Sequence, residues 1–128
     1  MGQKYLIDTN IILEFTSGLL PVAAHNFVVG IIDNDGFNVS IINRIEVLGH
    51  SSATKNLNEF LDLANTLGIS DVVAQQTIEL RKVKKIKLPD AIIAATAMVN
   101  NFTLLSRNIR DFRNIEGLTV VDPYEYNI

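Results

Sequence analysis

Four acidic side chains stand where they could share one piece of chemistry. Asp8 closes a short apolar run, Tyr5-Leu6-Ile7, and Glu46 lies in Ile45-Glu46-Val47-Leu48-Gly49. Asp90 follows Pro89 in Leu88-Pro89-Asp90-Ala91-Ile92-Ile93-Ala94-Ala95-Thr96-Ala97, and Asp111 lies near the end of Leu104-Leu105-Ser106-Arg107-Asn108-Ile109-Arg110-Asp111-Phe112. Carboxylates brought together repel one another, and burying them unpaired is costly. A hard divalent cation resolves both problems, and an oxygen-only donor set suits Mg2+ or Mn2+ better than zinc. A cation seated there would activate water and offset the charge that builds on a phosphodiester during in-line displacement. Other chemistries are poorly supplied. The chain has no cysteine, which excludes a disulfide framework, a thiol nucleophile and a cysteine-ligated metal. With only His25 and His50, histidine-rich metal sites and Ser-His-Asp catalysis have little to work with.

Each acid also has an ordinary structural reading. An Asp opening Asp8-Thr9-Asn10 after a strand serves as a helix N-cap. Glu46 and Asp90, placed in first turns, are favoured by the helix dipole, and Asp111 can face Arg107 or Arg113 on the surface. Glu46 and Asp90 nevertheless have apolar neighbours, and a charge entering a helix that is apolar on nearly all faces points inward.

The elements that must position these acids alternate between short β-like runs and helical ones. Tyr5-Leu6-Ile7 is a short strand ended by a turn or cap signal. Leu20-Pro21 opens a helix through Ile32, with Pro21 tolerated in the first turn. Asn34-Asp35-Gly36 is a turn, and Phe37 to Ile42 is β-branched and apolar, hence a strand. Asn43 is read as the cap of a helix from Arg44 to about His50, and Ser52 or Thr54 as the cap of another through Leu67. In the latter, Leu57, Phe60, Leu61 and Ala64 repeat at helical spacing and Gly68 is a natural stop. Gly68-Ile69-Ser70 reads as a short strand, Asp71 as the cap of a helix through about Lys84, and Pro89 as the first turn of a helix over Asp90 to Val99. Phe102 to Leu105 and Leu118 to Val121 are the last two strands. Such alternation implies a parallel sheet with helices on both faces. Its strand ends and the helix starts that follow them share one edge, where ligands bind, so the four acids can converge there.

The 128 residues are 48% hydrophobic and 20% charged, with no repeat, low-complexity stretch or Pro/Gly/Ser linker, so residues 1–128 read as one domain. The N-terminus, Met-Gly-Gln-Lys-Tyr-Leu-Ile-Asp, meets a charge too early for a signal peptide's apolar region, and no apolar run is long enough to span a membrane, so a cytoplasmic setting is expected. The net charge of −3 is unevenly spread. Residues 1–78 carry three cations against eight acids, a balance of −5, whereas residues 79–128 carry eight cations against six acids, a balance of +2. The cations from Arg81 to Lys87 read most simply as a solvated helix end. Lys85 and Lys87 before Asp90, and Arg107, Arg110 and Arg113 around Asp111, are either contacts for nucleic-acid phosphates or ion pairs that position the carboxylates. Tyr5, Phe15, Phe27, Phe37, Phe60, Phe102 and Phe112 read as core side chains rather than base-stacking platforms.

Taken in order, the four acid-bearing segments resemble the PIN domain, and within it the toxin ribonucleases of bacterial VapBC-type toxin–antitoxin pairs. The resemblance implies an α/β/α sandwich around a parallel sheet of four or five strands in the order 3-2-1-4-5. It also implies Mg2+- or Mn2+-dependent endoribonuclease activity, a homodimer, and inhibition by a cognate antitoxin inserted into the site groove. Residue by residue, it makes Asp8, Glu46 and Asp90 the metal-binding acids, with Asp111 as the fourth. Thr9 would orient Asp8 or a water of the cation, and Ser106 matches the small hydroxyl residue usual before the last motif, or makes a local backbone bond. Asn108 stands where many relatives carry Asp. The fourth ligand is therefore Asn108, Asp111 or neither directly, and occupancy by one cation or two stays open. Two other readings compete: a PIN-type nuclease of RNA maturation or decay without a toxin role, and a non-catalytic nucleic-acid or protein-binding module. A phosphatase of the Asp-x-Asp type is disfavoured because residue 10 is Asn.

Overall fold

The computed structural model of the chain describes residues 3–34 and 36–126. Its first strand, β1 (Tyr5–Ile7), shows how the core divides. Successive strand side chains point to opposite faces, so Leu6 and Ile7 enter different apolar clusters. The same split recurs at Leu104 and Leu105 in β4 (Thr103–Leu105). One cluster joins Ile7, Phe37, Val39 and Leu105 to helices α1 (Thr9–Thr16), α2 (Val22–Asp33), α3 (Ile41–Leu48) and α4 (Lys55–Asp62). The other joins Leu6 and Leu104 to α5 (Asp71–Val83), α6 (Leu88–Asn100) and α7 (Ile109–Phe112). The result is a three-layer α/β/α sandwich.

The sheet has five strands, completed by β2 (Phe37–Ser40), β3 (Asn65–Leu67) and β5 (Val120–Val121). Every pairing is parallel and the order is β3-β2-β1-β4-β5, as the resemblance implied. A parallel sheet needs a crossover between neighbouring strands, and the helices supply it. All five strands consequently end on one edge. Helix α6 runs through the second apolar layer with Ala91 to Ala97 fully or nearly buried, as expected for a helix that is apolar all round. It ends at Asn101 in the left-handed region, φ 56°, a conformation that asparagine tolerates.

Several boundaries differ from the sequence reading. The strand expected from Phe37 to Ile42 stops at Ser40, because Ser40 caps α3 and its amide is held by the Asn43 side chain at 2.9 Å. This reciprocal cap overrides the β-preference of Ile41 and Ile42, and Asn43 is the third residue of the helix, not its cap. The helix expected through Leu67 ends at Asp62, and Asn65–Leu67 forms β3, displacing the strand expected at Gly68-Ile69-Ser70. Parallel pairing with β2 claims that segment, helped by a 3.1 Å bond from Asn65 Nδ2 to Asn38 Oδ1. Ser70, rather than Asp71, caps α5, and α1 joins the expected set. The turn expected at Asn34-Asp35-Gly36 centres on Asp35, which lies outside the described residues, as do Met1 and Gly2 of the N-terminal reading. No described helix is long and apolar enough to cross a membrane.

Leu104 is fully buried in the strand beside β1. Leu104→Ala is expected to lower unfolding stability by about 2–5 kcal/mol, through lost apolar transfer and the cavity left behind, as read from urea denaturation.

Candidate metal-binding site

Asp8 is the first residue beyond the central strand, and it caps α1. Its backbone amide still donates to the carbonyl of Leu105 at 2.9 Å, so the carboxylate is fixed to the end of both β1 and β4. Only 6% of the residue is exposed. Three neutral donors hold it: the Thr9 amide at 2.8 Å and Asn43 Nδ2 at 3.2 Å on Oδ1, and Ser106 Oγ at 2.7 Å on Oδ2. A carboxylate offers about four acceptor positions. One therefore remains, on Oδ2.

Asn43 is the residue that sequence reasoning missed. It is fully buried, and its amide orientation is dictated by Ser40, whose N–H must meet the carbonyl oxygen and not the NH2 group. The NH2 is thereby aimed at Asp8 and also at Thr9 Oγ1, at 3.1 Å. Thr9 Oγ1 in turn donates to Glu46 Oε1 at 2.6 Å. The Thr9 hydroxyl thus orients Glu46, while its amide serves Asp8. A signal was available: Ser-x-x-Asn is a capping box with Asn in place of the usual Glu or Gln.

Glu46 lies three residues beyond Asn43, in the second turn of α3 and not the first. It is exposed, contrary to the inward placement expected from its neighbours; Ile45 beside it is exposed as well. Asp90 enters the first turn of α6 and is half-buried. Asp111 is exposed on α7 and accepts from Asn108 Nδ2 at 3.0 Å. It forms no ion pair with Arg107 or Arg113. Ser106 accepts from the Asn108 amide at 3.0 Å, the local backbone bond expected of a strand-end hydroxyl, and also donates to Asp8.

Electrostatics show that these acids share one region. Burial pushes the Asp8 carboxyl above its ordinary value, and Glu46's charge adds to this, against the lowering effect of the Ser106, Thr9 and Asn43 hydrogen bonds. Asp90 is also raised, first by partial desolvation, then by the charges of Asp8, Asp111 and Glu46, with Lys87 opposing. The described residues form five ion pairs: Arg44–Asp62, Lys55–Glu59, Lys82–Glu79, Arg107–Glu14 and Arg113–Glu125. None uses Asp8, Glu46, Asp90 or Asp111. Four carboxylates are thus grouped and left without a paired cation.

Among the described residues, no three His, Asp or Glu side chains converge tightly enough to ligate one ion together. The ring of acids is looser than the compact tetrahedron of a zinc site. Of the hard divalent ions, Mg2+ asks least of such a set, since it keeps several waters and touches few carboxylates directly. Asp8 and Asp90 are the inner candidates, with Glu46 and Asp111 at the rim.

Of the cations, Lys85 and Lys87 line a cleft of about 430 Å3 with Arg81, Ile86, Asp90 and Asp111. Arg107 is committed elsewhere: its guanidinium pairs with Glu14 at 3.0 Å and lies 3.9 Å over the Tyr124 ring, while Tyr124 Oη donates to the same Glu14. The Arg107 amide donates to Asn10 Oδ1 at 3.3 Å. These contacts tie the loop carrying Ser106 and Asn108 to α1. Arg110 is exposed on α7. The aromatic residues named above are buried or half-buried, as expected for core side chains.

The family profile for the PIN domain matches residues 5–118. Among solved structures, a toxin–antitoxin complex from Klebsiella pneumoniae aligns at 30% identity over 94% of this chain and 98% of the other, with a TM-score of 0.74. VapBC2 from Rickettsia felis, bound to a DNA fragment from its promoter, aligns at 24% identity, 93% and 98% coverage, and a TM-score of 0.79. VapBC-1 from nontypeable Haemophilus influenzae aligns at 22% identity, 94% and 98% coverage, and a TM-score of 0.80. No curated protein sequence matches the chain.

The raised acids imply a cost in stability. The folded state holds the Asp90 proton more tightly than the unfolded chain does, so it binds more protons just above pH 4, and stability falls as pH climbs through that window. Asp90→Asn is therefore expected to melt higher than wild type at pH 7, with the difference shrinking below about pH 4. Added Mg2+ should narrow the gap by stabilising wild type more than the variant, as followed by thermal denaturation.

Proposed function

The chain belongs to the PIN-domain family, a family of nucleases, and we propose that it is a Mg2+- or Mn2+-dependent endoribonuclease acting as the toxin of a toxin–antitoxin pair. The observation that carries the reading is the group of four carboxylates, spared by every described ion pair, on the edge where the parallel strands end. Asp8 and Asp90 would hold the divalent ion, with Glu46 and Asp111 reaching it directly or through water. When bound, such an ion supplies a water of lowered pKa and charge compensation for in-line displacement at phosphorus.

The chain's own groups do the rest. Ser106, Asn43 and the Thr9 amide favour the ionised form of Asp8 against the burial that raises its pKa, and they fix its direction. Thr9 Oγ1 holds Glu46 at the rim, where its carboxylate could accept a proton. Asn108 steadies Asp111. Lys85 and Lys87 in the cleft, and Arg110 exposed on α7, would meet phosphates without selecting bases. Arg107, held by Glu14 and Tyr124, acts as a positioning residue for the Ser106–Asn108 loop.

The toxin assignment is supported by the 30% identity to a chain of a toxin–antitoxin complex; a cognate antitoxin in the site groove, a homodimer and a cytoplasmic setting belong to the same proposal. Residues 1–128 would then be a single catalytic domain.

Purified protein should cut an RNA panel with Mg2+ or Mn2+. EDTA or Asp8→Ala should abolish cutting, and Ser106→Ala or Asn43→Ala should slow it about 10- to 100-fold through loss of ligand orientation. Undiminished cutting by Asp8→Ala, in material free of host nucleases, would remove the reading. Mapping RNA 5′ ends after induction of wild type against Asp90→Asn then separates a toxin that cuts a narrow set of cellular RNAs from a general decay nuclease.

A further inference from the structure

The cleft that carries Lys85, Lys87, Asp90 and Asp111 does not end there. Arg81, Lys85 and Ile86 also form part of a second cleft of about 530 Å3, completed by Thr77, Ile78, Lys82 and Leu88. Because Arg81, Lys85 and Ile86 line both, the two clefts adjoin and flank one stretch of surface, a groove leading to the acids. Thr77, Ile78, Arg81 and Lys82 recur at helical spacing on one face of α5, so that helix supplies a wall. Among the described residues, every charged side chain lining the second cleft is a cation, and the only acids along the groove are Asp90 and Asp111 at its far end.

Cations near a helix C-terminus are mildly favourable in any protein. That reading does not account for their sorting. Lys84, which ends α5, lines a different cleft with Gln76 and Glu79, whereas Arg81, Lys82, Lys85 and Lys87 all line this one. Arg81 also donates from Nε to the carbonyl of Ile86 at 3.3 Å, which pins the turn between α5 and α6 against the groove. Lys82 approaches Glu79 at 3.4 Å, an exposed pair of the weak kind that a phosphate readily displaces.

We propose that this groove is a track for the sugar-phosphate backbone of an RNA strand, running from Lys82 past Arg81 and Lys85 to Lys87 and the acids. The proposal rests on the nuclease reading and adds the strand's route to it. Cations along the track bind successive phosphates, and Ile78, Ile86 and Leu88 give riboses or bases an apolar floor. RNA is favoured over an acidic peptide because the track delivers a phosphodiester to the carboxylates that would act on it.

The test is a fluorescence-anisotropy titration in EDTA, where no cleavage occurs, using an unstructured oligoribonucleotide of about a dozen residues over a salt series. Lys82→Gln and Lys85→Gln should each weaken binding several-fold and each lower the slope of log affinity against log salt by about 0.7. Lys82 is exposed, so its replacement leaves the fold intact. An unchanged slope in Lys82→Gln overturns the track. So does tighter binding of oligoglutamate than of RNA through Lys82, which would give the groove to an acidic peptide. Metal-supported cleavage by wild type, measured alongside, separates the two ideas: cleavage with unchanged slopes removes the track alone, and shifted slopes without cleavage remove the nuclease reading alone.

Discussion

A buried carboxylate at the end of the central strand, held by hydrogen bonds and left without a countercharge, is the constraint around which this molecule is arranged. Burying Asp8 raises its proton affinity, and a nearby arginine would be the simplest remedy. The chain instead uses an amide N–H, a carboxamide and a hydroxyl. Neutral donors favour the ionised form and fix its direction without neutralising it. In the proposed reading that carboxylate is left for a divalent ion, and the distribution of the cations agrees. Arg107, one residue beyond Ser106, is drawn off to Glu14 and Tyr124.

The rest of the fold makes this arrangement tolerable. Two apolar layers on opposite faces of an all-parallel sheet supply the stability, and neither depends on the acidic edge. Helix α6 shows the division within one element: Ala91 to Ala97 are locked in the second layer, while Asp90, one residue earlier, stands half-exposed against like charges. A rigid, fully packed helix can hold an unfavourable charge in place because its own position is set by the burial that follows. Repulsion among the carboxylates is thus stored at a fixed site instead of being relieved by local rearrangement.

Much of this is written locally, and what is not has a physical reason. The strand ending at Asp8 and the apolar helix behind Pro89 follow from short-range pattern, because a buried parallel strand and an all-apolar helix each leave a continuous trace, whereas the sheet order came only with the family resemblance. Asn43 left only a faint one. The β-branched pair Ile41-Ile42 extends the strand pattern past Ser40, and a capping box closed by Asn is easily read as an ordinary cap. Strand β3 was hidden because Asn65-Thr66-Leu67 continues a helical spacing, and only pairing with β2, set by contacts far along the chain, turns it into a strand. The exposure of Glu46 and the clasp of Glu14 by Tyr124, 110 residues away, are tertiary facts that no window of sequence contains.

The uneven charge of the chain takes on a different meaning once it is folded. Read linearly, a net acidic first part and a net basic second part suggest two regions of opposite character. In three dimensions the acids of the site come from both, Asp8 and Glu46 from one and Asp90 and Asp111 from the other, so the acidic edge is assembled across that divide. The arginines after β4 are partly spent on fixing loops, as the pairs Arg107–Glu14 and Arg113–Glu125 show. The cations between Arg81 and Lys87 stay beside the site because the turn that carries them leads directly into Asp90. Positive charge next to uncompensated negative charge, with aromatic side chains committed to the core, is the arrangement the proposed RNA substrate would need if it is gripped by its backbone. Choice among such polyanions must then come from their shape and from the form of the groove, not from stacking on exposed rings.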